Sequence, residues 1–208
     1  MKKMALVVRI KKENYNFAIK KAVDALRNGK IIIYPTETSY GLGAKAKNRK
    51  AVERIHSIKG QSKNKPISII VPNTATAKKF GKISKEAEKL LKKFMPGPLT
   101  LIVEKKKSVP EELSGRGIAF RISSNKIAND LCKDLGTAIT ATSANLHGEE
   151  PIYSAKEAVK KFADKVDLII DAGDLPKKAT STLYDVESGR VLRKGKIKEK
   201  EIHALLGN

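Results

Sequence analysis

The sequence predicts a mixed α/β fold of the α+β class, in which helices flank a twisted sheet of parallel and antiparallel strands. Helical periodicity and β-branched runs alternate along most of the 208 residues, which favours layers of both element types. The alternation is uneven, and two runs near the C-terminal end are joined through Glu187-Ser188-Gly189 as a hairpin. An all-parallel sheet would not contain such a hairpin, so a mixed sheet is expected.

Helices are predicted where apolar residues recur at helical spacing between capping residues and helix breakers. Ile19, Ala22 and Val23 share one face of the first such segment, and Gly29 closes it. Ser154 and Glu157 have the spacing of a capping box. The predicted helices are 15–28, the segment between Asn48 and Gly60, the segment from Ser84 to Pro96-Gly97-Pro98, 125–135, the segment from Ser154 to Phe162, and a short basic helix at the end of the chain.

Strands are predicted from short runs of β-branched and aromatic residues. In the first run Pro35 cannot donate to a ladder and is expected to end the strand. The hydroxyl-rich segment that follows is expected to lie against a turn at Gly41 and Gly43, a place that suits a small polar ligand. The predicted strands are 30–34, 67–71, 99–103, 118–122, 138–141, 166–170, 182–186 and 190–192.

Composition limits the class of protein. No run approaches the roughly 18 apolar residues of a membrane-spanning helix, and the few apolar positions before Arg9 are too short for the apolar region of a secretory leader. The single cysteine excludes internal disulfides. We therefore expect one domain over residues 1–208 in a cytoplasmic protein without membrane contact. The net charge of +21 and pI near 10.0 favour nucleotides or RNA as partners.

Several polar residues are candidates for a site, and each has a simpler structural explanation. Thr36 and Thr38 could cap a turn, and Lys59 could interact with the dipole of its helix. Ser143 and Asn145, in a second polar cluster after an apolar strand, could form an Asx-type turn. For these four residues the local pattern leaves the structural and functional interpretations open.

Two arginines complete the candidates. Arg121 lies inside a predicted strand between Phe120 and Ile122, where a charge needs a partner or a cavity, so a functional role is favoured. Arg193, close to Lys194 and other lysines, could be one more solvated cation.

Common catalytic and metal-binding signatures are missing from the sequence. The three histidines, His56, His147 and His203, lack metal-ligand spacing to one another or to Cys132, which is interpreted as a small core residue. Asp171 and Asp174 around Gly173 are better explained by a turn at the end of a strand than by a metal site. A G-x-x-x-x-G-K-S/T phosphate loop and a G-x-S-x-G nucleophile elbow are also absent.

A set of short motifs, in order and at characteristic spacing, resembles the YrdC-type threonylcarbamoyl-AMP synthases. The similarity runs from about Ala18 to Arg193. It rests on Tyr34-Pro35-Thr36-Glu37-Thr38, Tyr40-Gly41-Leu42-Gly43, Ile58-Lys59-Gly60, Lys65-Pro66, Met95-Pro96-Gly97-Pro98-Leu99-Thr100, Ala119-Phe120-Arg121-Ile122, Thr142-Ser143-Ala144-Asn145 with Gly148, and Ser181-Thr182 before Arg193.

The resemblance implies a YrdC-like fold and a nucleotidyl transfer among L-threonine, bicarbonate and ATP. The products would be pyrophosphate and threonylcarbamoyl-AMP, which a downstream tRNA threonylcarbamoyl transferase uses to modify tRNA. Mg²⁺ is expected with ATP, held mainly by phosphate oxygens and water. The resemblance assigns threonine to Thr36, Thr38, Arg121 and Ser181, and it assigns ATP to Lys59, Gln61, Ala141, Ser143, Asn145 and Arg193. Among these, Lys59 and Arg193 would stabilise charge on the phosphates, and no side chain is expected to act as a nucleophile.

The chain departs from the pattern of the resembled family at four places. Gln61 stands where that family usually has an arginine, so Lys63 or Lys65 would have to supply the cation, and Ile70 replaces a histidine. The proline-rich string that commonly follows the last arginine is replaced by Lys194-Gly195-Lys196, and the extra C-terminal domain of some members is expected to be absent. The alternative function is a non-catalytic module that binds double-stranded RNA or tRNA.

Overall fold

The computed structural model describes residues 4–115 and 117–207, and within them seven helices and eleven strands are assigned. Residues 1–3, which belong to the segment considered as a secretory leader, lie outside the described residues. The helices are α1 (Tyr15–Arg27), α2 (Arg49–Lys59), α3 (Thr74–Ala77), α4 (Lys85–Phe94), α5 (Lys126–Leu135), α6 (Ala155–Phe162) and α7 (Glu199–Leu206). The strands are β1 (Leu6–Arg9), β2 (Ile32–Pro35), β3 (Tyr40–Gly43), β4 (Ile69–Ile70), β5 (Leu99–Glu104), β6 (Gly117–Arg121), β7 (Ile139–Thr140), β8 (Thr142–Ser143), β9 (Leu168–Asp171), β10 (Thr182–Asp185) and β11 (Arg190–Arg193).

The strands form two mixed sheets, so the mixed fold class is confirmed, although a single sheet was expected. The first sheet has the order β1-β9-β2-β3-β8, and the second has the order β11-β10-β5-β6-β4-β7. Each contains parallel pairs, such as β2 with β9 and β5 with β10, and antiparallel pairs, such as β2 with β3 and β5 with β6. The predicted hairpin of β10 and β11 is confirmed.

Capping residues in the sequence predicted both ends of α2 and the start of α4 correctly. The side chain of Asn48 accepts a hydrogen bond from the amide of Ala51 at the start of α2, and Gly60 ends this helix at φ 62°. Ser84 caps α4 in the same way. The capping box at Ser154 is wrong, because its side chain makes no capping hydrogen bond and Glu157 pairs with Lys161 instead. The last helix is confirmed but is not basic, since it reads EKEIHALL.

The predicted two-glycine turn is wrong, because Gly41 and Gly43 belong to strand β3. The turn lies earlier, between β2 and β3, and Gly43 is paired with Ile32 across the two strands. A Cβ atom at Gly43 would lie 2.8 Å from the ring of Tyr34, so glycine is required here by close packing rather than by turn geometry. Pro35 is the last residue of β2, as expected.

Strand β1 and the short β8 were not predicted from the sequence. In β1 only Val8 is buried, since this strand lies at the edge of its sheet and, among the described strands, is paired with β9 alone. β8 is two residues long and half-buried, so it lacks the apolar run on which the prediction relied. The apolar run Leu6-Val7-Val8 of β1 was considered only as a possible secretory leader.

In the part of the chain that the structure describes, the core consists of two apolar clusters that share strand β2. Ile31 and Ile33 belong to the larger cluster, whereas Ile32 and Tyr34 belong to the smaller one, which contains α1 and α5. Burial on both faces explains the continuous apolar run of this strand. Burial of β2 therefore fixes the position of the turn that follows Pro35, at the edge of the core.

Candidate active site

All ten residues that the sequence predicted for the site line one cavity of about 690 Å³. They come from the turn between β2 and β3, the end of α2, strand β6, the segment around β8, and the hairpin of β10 and β11. The residues are Thr36, Thr38, Lys59, Gln61, Arg121, Ala141, Ser143, Asn145, Ser181 and Arg193. Their proximity is a feature of the structure, and their individual binding roles stay predictions.

The turn between β2 and β3 is organised by the hydroxyl of Thr36. This hydroxyl donates to the carbonyl of Ser39 at 2.8 Å and accepts from the amides of Thr38 and Ser39 at 3.2 and 3.3 Å. Its Oγ1 also lies 3.1 Å from Thr38 Oγ1. Thr36 thus caps the turn, as the simpler structural explanation predicted, and in doing so holds Thr38 at the cavity wall.

Arg121 lies at the end of β6 and is paired with a carboxylate that the sequence prediction did not include. Its Nε donates to Oε1 of Glu37 at 2.6 Å, and the side chains are only 6% and 10% exposed. The hydroxyl of Ser123 donates to the other oxygen, Oε2, of the same carboxylate. A buried guanidinium therefore faces the cavity with its Nε already bound.

Arg193 lies on strand β11, at the edge of the same sheet as β6, and holds Ser181. Its Nη2 donates to the carbonyl and to the hydroxyl of Ser181, at 3.1 and 3.0 Å, and its Nε donates to the same carbonyl at 3.2 Å. The hydroxyl of Ser181 also lies 2.8 Å from that of Thr100. Although Arg193 as a residue is exposed, desolvation of its guanidinium, followed by repulsion from Arg121, lowers its pKa. We call Arg121, Arg193, Ser181 and Thr100 the arginine end of the cavity.

Lys59 lies at the last turn of α2 and is 5% exposed. Its ammonium donates to the carbonyls of Ser143 and Asn145 at 2.7 and 2.9 Å, and to Oδ1 of Asn145 at 2.7 Å. These three acceptors match the three donors of an ammonium group. Burial, followed by the charge of Lys65, lowers the pKa of Lys59 to about 8. The lysine thus fixes the segment after β7 against α2.

The polar residues after β7 also bind one another. The hydroxyl of Ser143 donates to Oδ1 of Asn145 at 2.6 Å, and the amide of Asn145 donates to the carbonyl of Ser143 at 3.0 Å. The carbonyl of Ala141 accepts from the hydroxyl of Ser68 at 2.8 Å. These bonds form a local turn but not the predicted Asx-type turn, because Oδ1 of Asn145 accepts from Ser143 and Lys59, while the backbone amide of His147 donates to the carbonyl of Lys59. The residues of this turn line the cavity.

One further lysine, Lys65, lines the cavity near Gln61. Gln61 Nε2 lies 3.1 Å from Nδ1 of His56, whose Nε2 lies 2.8 Å from the carbonyl of Glu112, so His56 is a buried bridging residue. Lys65 lines the cavity with its ammonium 3.0 Å from Nδ1 of His147, while Lys63 instead pairs with Glu53 at 3.6 Å. We call Lys59, Ser143, Asn145, Lys65 and His147 the lysine end.

Other candidates from the sequence have structural roles. Cys132 is buried, and this burial raises the pKa of its thiol to about 12. The amide of Gly173 donates to the carboxylate of Asp171 at 2.8 Å with Gly173 at φ 75°, which is the predicted turn. Ile70 is buried in the smaller apolar cluster. Over the described ranges, no group of three or more His, Cys, Asp or Glu side chains is placed to hold a metal ion.

Sequence reasoning missed Glu37, Ser123, Thr100 and His147 as parts of the site. Glu37 and Thr100 stood within quoted motifs, but a carboxylate beside two threonines gave no signal of its partner. Helices long and apolar enough to cross a membrane are not found among the residues that the structure describes.

Two proteins with similar sequences are named threonylcarbamoyl-AMP synthases. The threonylcarbamoyl-AMP synthase of Pyrococcus abyssi is 34% identical over 209 residues, covering 98% of this chain and 62% of the relative. The enzyme of the same name from Thiobacillus denitrificans is 33% identical over 171 residues, covering 81% of this chain and 90% of the relative.

Comparison with solved structures agrees with these similarities. The structure of P. abyssi Sua5 complexed with L-threonine matches with a TM-score of 0.89 and 34% identity, covering 98% of this chain and 61% of that one. The chain thus spans about three fifths of the P. abyssi protein. A family model described as "Telomere recombination" matches residues 24–195, so the chain belongs to the Sua5/YciO/YrdC family.

Proposed function

We propose that this chain synthesises threonylcarbamoyl-AMP and pyrophosphate from L-threonine, bicarbonate and ATP, with residues 1–208 as one synthase domain. The product would serve the threonylcarbamoyladenosine modification of tRNA. The observation that carries the proposal is the single cavity in which the arginine end and the lysine end face the same space. The names of the relatives and the threonine complex of P. abyssi Sua5 support the choice of substrates.

The reaction needs positioning and charge stabilisation more than a protein nucleophile. The threonine amine first condenses with bicarbonate to a carbamate, and a carbamate oxygen then attacks the α-phosphorus of ATP while pyrophosphate leaves. Holding two substrates in line, and placing cations where negative charge develops, supplies most of the acceleration in such a transfer. The cavity offers cations at both ends, which fits this requirement.

The arginine end suits an amino acid. A guanidinium binds a carboxylate through two parallel hydrogen bonds, so Arg121 would hold the threonine carboxylate. Thr38 and Ser181 would contact the amine and side-chain hydroxyl, and Thr36 would act through the turn that it caps. Arg193, which binds Ser181 at the cavity wall, would face the phosphate chain.

The lysine end suits the nucleotide. Ser143, Asn145 and Ala141 would contact ATP at the surface of their turn, with Gln61 beside them. Lys59 already donates to three protein oxygens, so it would shape this wall and contact phosphate only by exchanging one acceptor. Lys65, which is exposed at the cavity, would supply the cation that Gln61 does not.

Mg²⁺ would accompany ATP in this proposal. The described cavity wall offers hydroxyls, amides and cations rather than a carboxylate cluster, so the ion fits as a ligand of phosphate oxygens and water. It would neutralise charge on the phosphates. The proposed partners beyond the substrates are a downstream transferase and tRNA, in the cytoplasm.

The decisive experiment measures the product directly. Purified protein is incubated with radiolabelled bicarbonate, L-threonine and Mg-ATP, and the label is followed into an adenylate together with pyrophosphate release. We expect a labelled adenylate that disappears when threonine is omitted. Absence of that adenylate together with tight, salt-sensitive binding of double-stranded RNA would overturn the proposal in favour of a non-catalytic RNA-binding module.

A further inference from the structure

Glu37 is a buried carboxylate bound to Arg121 of the arginine end, and no substrate role explains it. It follows Thr36 in the turn between β2 and β3, and its two oxygens are bound to different groups of the β6 end. Oε1 accepts from Nε of Arg121 at 2.6 Å, and Oε2 accepts from the hydroxyl of Ser123, which is fully buried. A carboxylate held at both oxygens is fixed in position and in plane.

This contact leaves a defined part of the guanidinium for a ligand. Over residues 4–115 and 117–207, Glu37 Oε1 is the only acceptor found for the Arg121 guanidinium, and it takes the Nε hydrogen. The Nη1 and Nη2 groups remain, and together they form the end-on edge of the fork that binds a carboxylate through two hydrogen bonds. The side chain of Arg121 also lines the cavity.

Glu37 also offsets charge. Arg121 lies close enough to Arg193 to lower the pKa of that guanidinium, so the two cations repel each other. A carboxylate on Arg121 reduces this repulsion before any anion binds, at the cost of weakening the pull of the pair on anions in general. Glu37 therefore orients the guanidinium of Arg121 but also reduces the attraction of the two arginines for anions.

We infer that Glu37, anchored by Ser123, is a positioning residue that presents the Nη1–Nη2 edge of Arg121 to the carboxylate of the amino-acid substrate. This inference rests on the proposed function. In this role Glu37 does not contact the substrate. Its effect on threonine binding therefore differs from its effect on ATP binding. Loss of the Glu37 charge should weaken threonine binding while leaving ATP binding unchanged or tighter.

The test is calorimetric binding of L-threonine and of Mg-ATP to the full chain, carrying Glu37→Gln. We expect threonine affinity to fall about 10-fold, the lower range for a charged hydrogen bond, and ATP affinity not to fall. Glu88→Gln is the matched control, because it removes the charge of another ion pair, with Lys78 at 2.7 Å, outside the cavity wall. That control should bind both ligands as the wild type does.

A double-mutant cycle separates positioning from a general structural effect. In kcat/KM for threonine, Glu37→Gln should cost about 10-fold alone but less than about twofold in an Arg121→Ala background, because it acts through that guanidinium. Equal costs in both backgrounds would overturn the inference. Thermal melting checks that each variant is folded.

Ser123→Ala keeps the experiment decisive if Glu37→Gln does not fold. It leaves the ion pair in place but frees one carboxylate oxygen, so we expect a loss of threonine affinity of about threefold without a loss for ATP. An unchanged threonine affinity would contradict the inference. A wild-type protein that binds no threonine would overturn the proposed function together with the inference, whereas wild-type binding with unaltered variants would overturn the inference alone.

Discussion

The two ends of the cavity use their positive charges in different ways. At the lysine end the ammonium of Lys59 donates to three oxygens of the protein itself. At the arginine end, the one protein acceptor found for Arg121 among the described residues is Glu37, which binds its Nε, and the side chain of Arg121 lines the cavity. Both residues are buried, so burial alone does not distinguish a cation that builds the wall from one that is available to a ligand.

The chemistry of the two side chains explains the difference. A guanidinium has five donors in a rigid plane, so it can bind a structural partner with one edge and a ligand with another. An ammonium has three donors, and three protein acceptors saturate it. A buried arginine in a polar cavity is therefore better suited to ligand contact than a buried lysine whose partners are all internal.

The largest expected effect comes from breaking the arginine end. Arg121→Ala should lower kcat/KM for threonine about 100-fold, because it removes a two-bond contact with the substrate carboxylate and leaves Glu37 without its partner. RNA binding, measured by salt-dependent gel shift, should change far less. The matched control is Arg190→Ala, an exposed arginine of β11 outside the cavity wall, which should leave threonine use unaltered.

Equal losses of threonine use and RNA binding in Arg121→Ala would contradict the division of roles. So would a threonine affinity like that of the wild type. Either result would place the ligand-binding cation elsewhere in the cavity.

A smaller effect should distinguish the two lysines of the lysine end. Lys59→Met should lower the free energy of unfolding by about 2 kcal/mol, since the oxygens of Ser143 and Asn145 lose their donor. Lys65→Ala should leave the unfolding midpoint in urea nearly unchanged but weaken ATP binding several-fold, because Lys65 is exposed at the cavity. Urea denaturation and calorimetry would measure the two quantities, and the reverse assignment would refute the comparison.

The smallest effect is a dependence on pH. The pKa of Lys59 is lowered from 10.5 to about 8 in the folded state, so between these values the unfolded chain binds more protons and stability rises with pH. The difference in unfolding free energy between wild type and Lys59→Met should shift in favour of the wild type by about 1 kcal/mol from pH 8 to pH 9.

The measured quantity is the difference in unfolding free energy between the two proteins, because other buried groups with raised pKa values also make stability depend on pH. The pKa of Cys132 is raised from 9.0 to about 12, so its contribution to stability falls above pH 9 in both proteins and cancels. A flat difference over this interval would show that the three accepting oxygens, which favour the ammonium, offset its burial.

Most of the fold could be predicted where local signals were strong. Asn48 caps the start of α2 and Gly60 ends it, through geometry that involves only neighbouring residues. Prediction was wrong where the deciding contact was distant, as at Gly43, whose partner Ile32 and neighbour Tyr34 belong to another strand. The edge strand β1 was missed because its short apolar run Leu6-Val7-Val8 was considered only as a possible secretory leader, and its partner β9 is distant in the sequence.

The candidate site shows the same limit. Motifs were sufficient to name ten residues that line one cavity, although what each of them binds stays a prediction. Glu37 stood in the middle of a quoted motif and was passed over, since its partners Arg121 and Ser123 are 84 and 86 positions away. Lys65, rather than Lys63, lines the cavity, and no local pattern separates these two lysines.

The sequence by itself determined where most of the helices and the longer strands form and which polar residues interrupt the apolar runs, because periodicity and capping act over a few positions. Only the tertiary structure decided which donors are consumed inside the protein. Lys59 meets Ser143 and Arg121 meets Glu37 across the same separation of 84 positions, yet one cation is saturated and the other is not. The physical reason is that hydrogen-bond partners are set by proximity in space, which short sequence patterns do not encode.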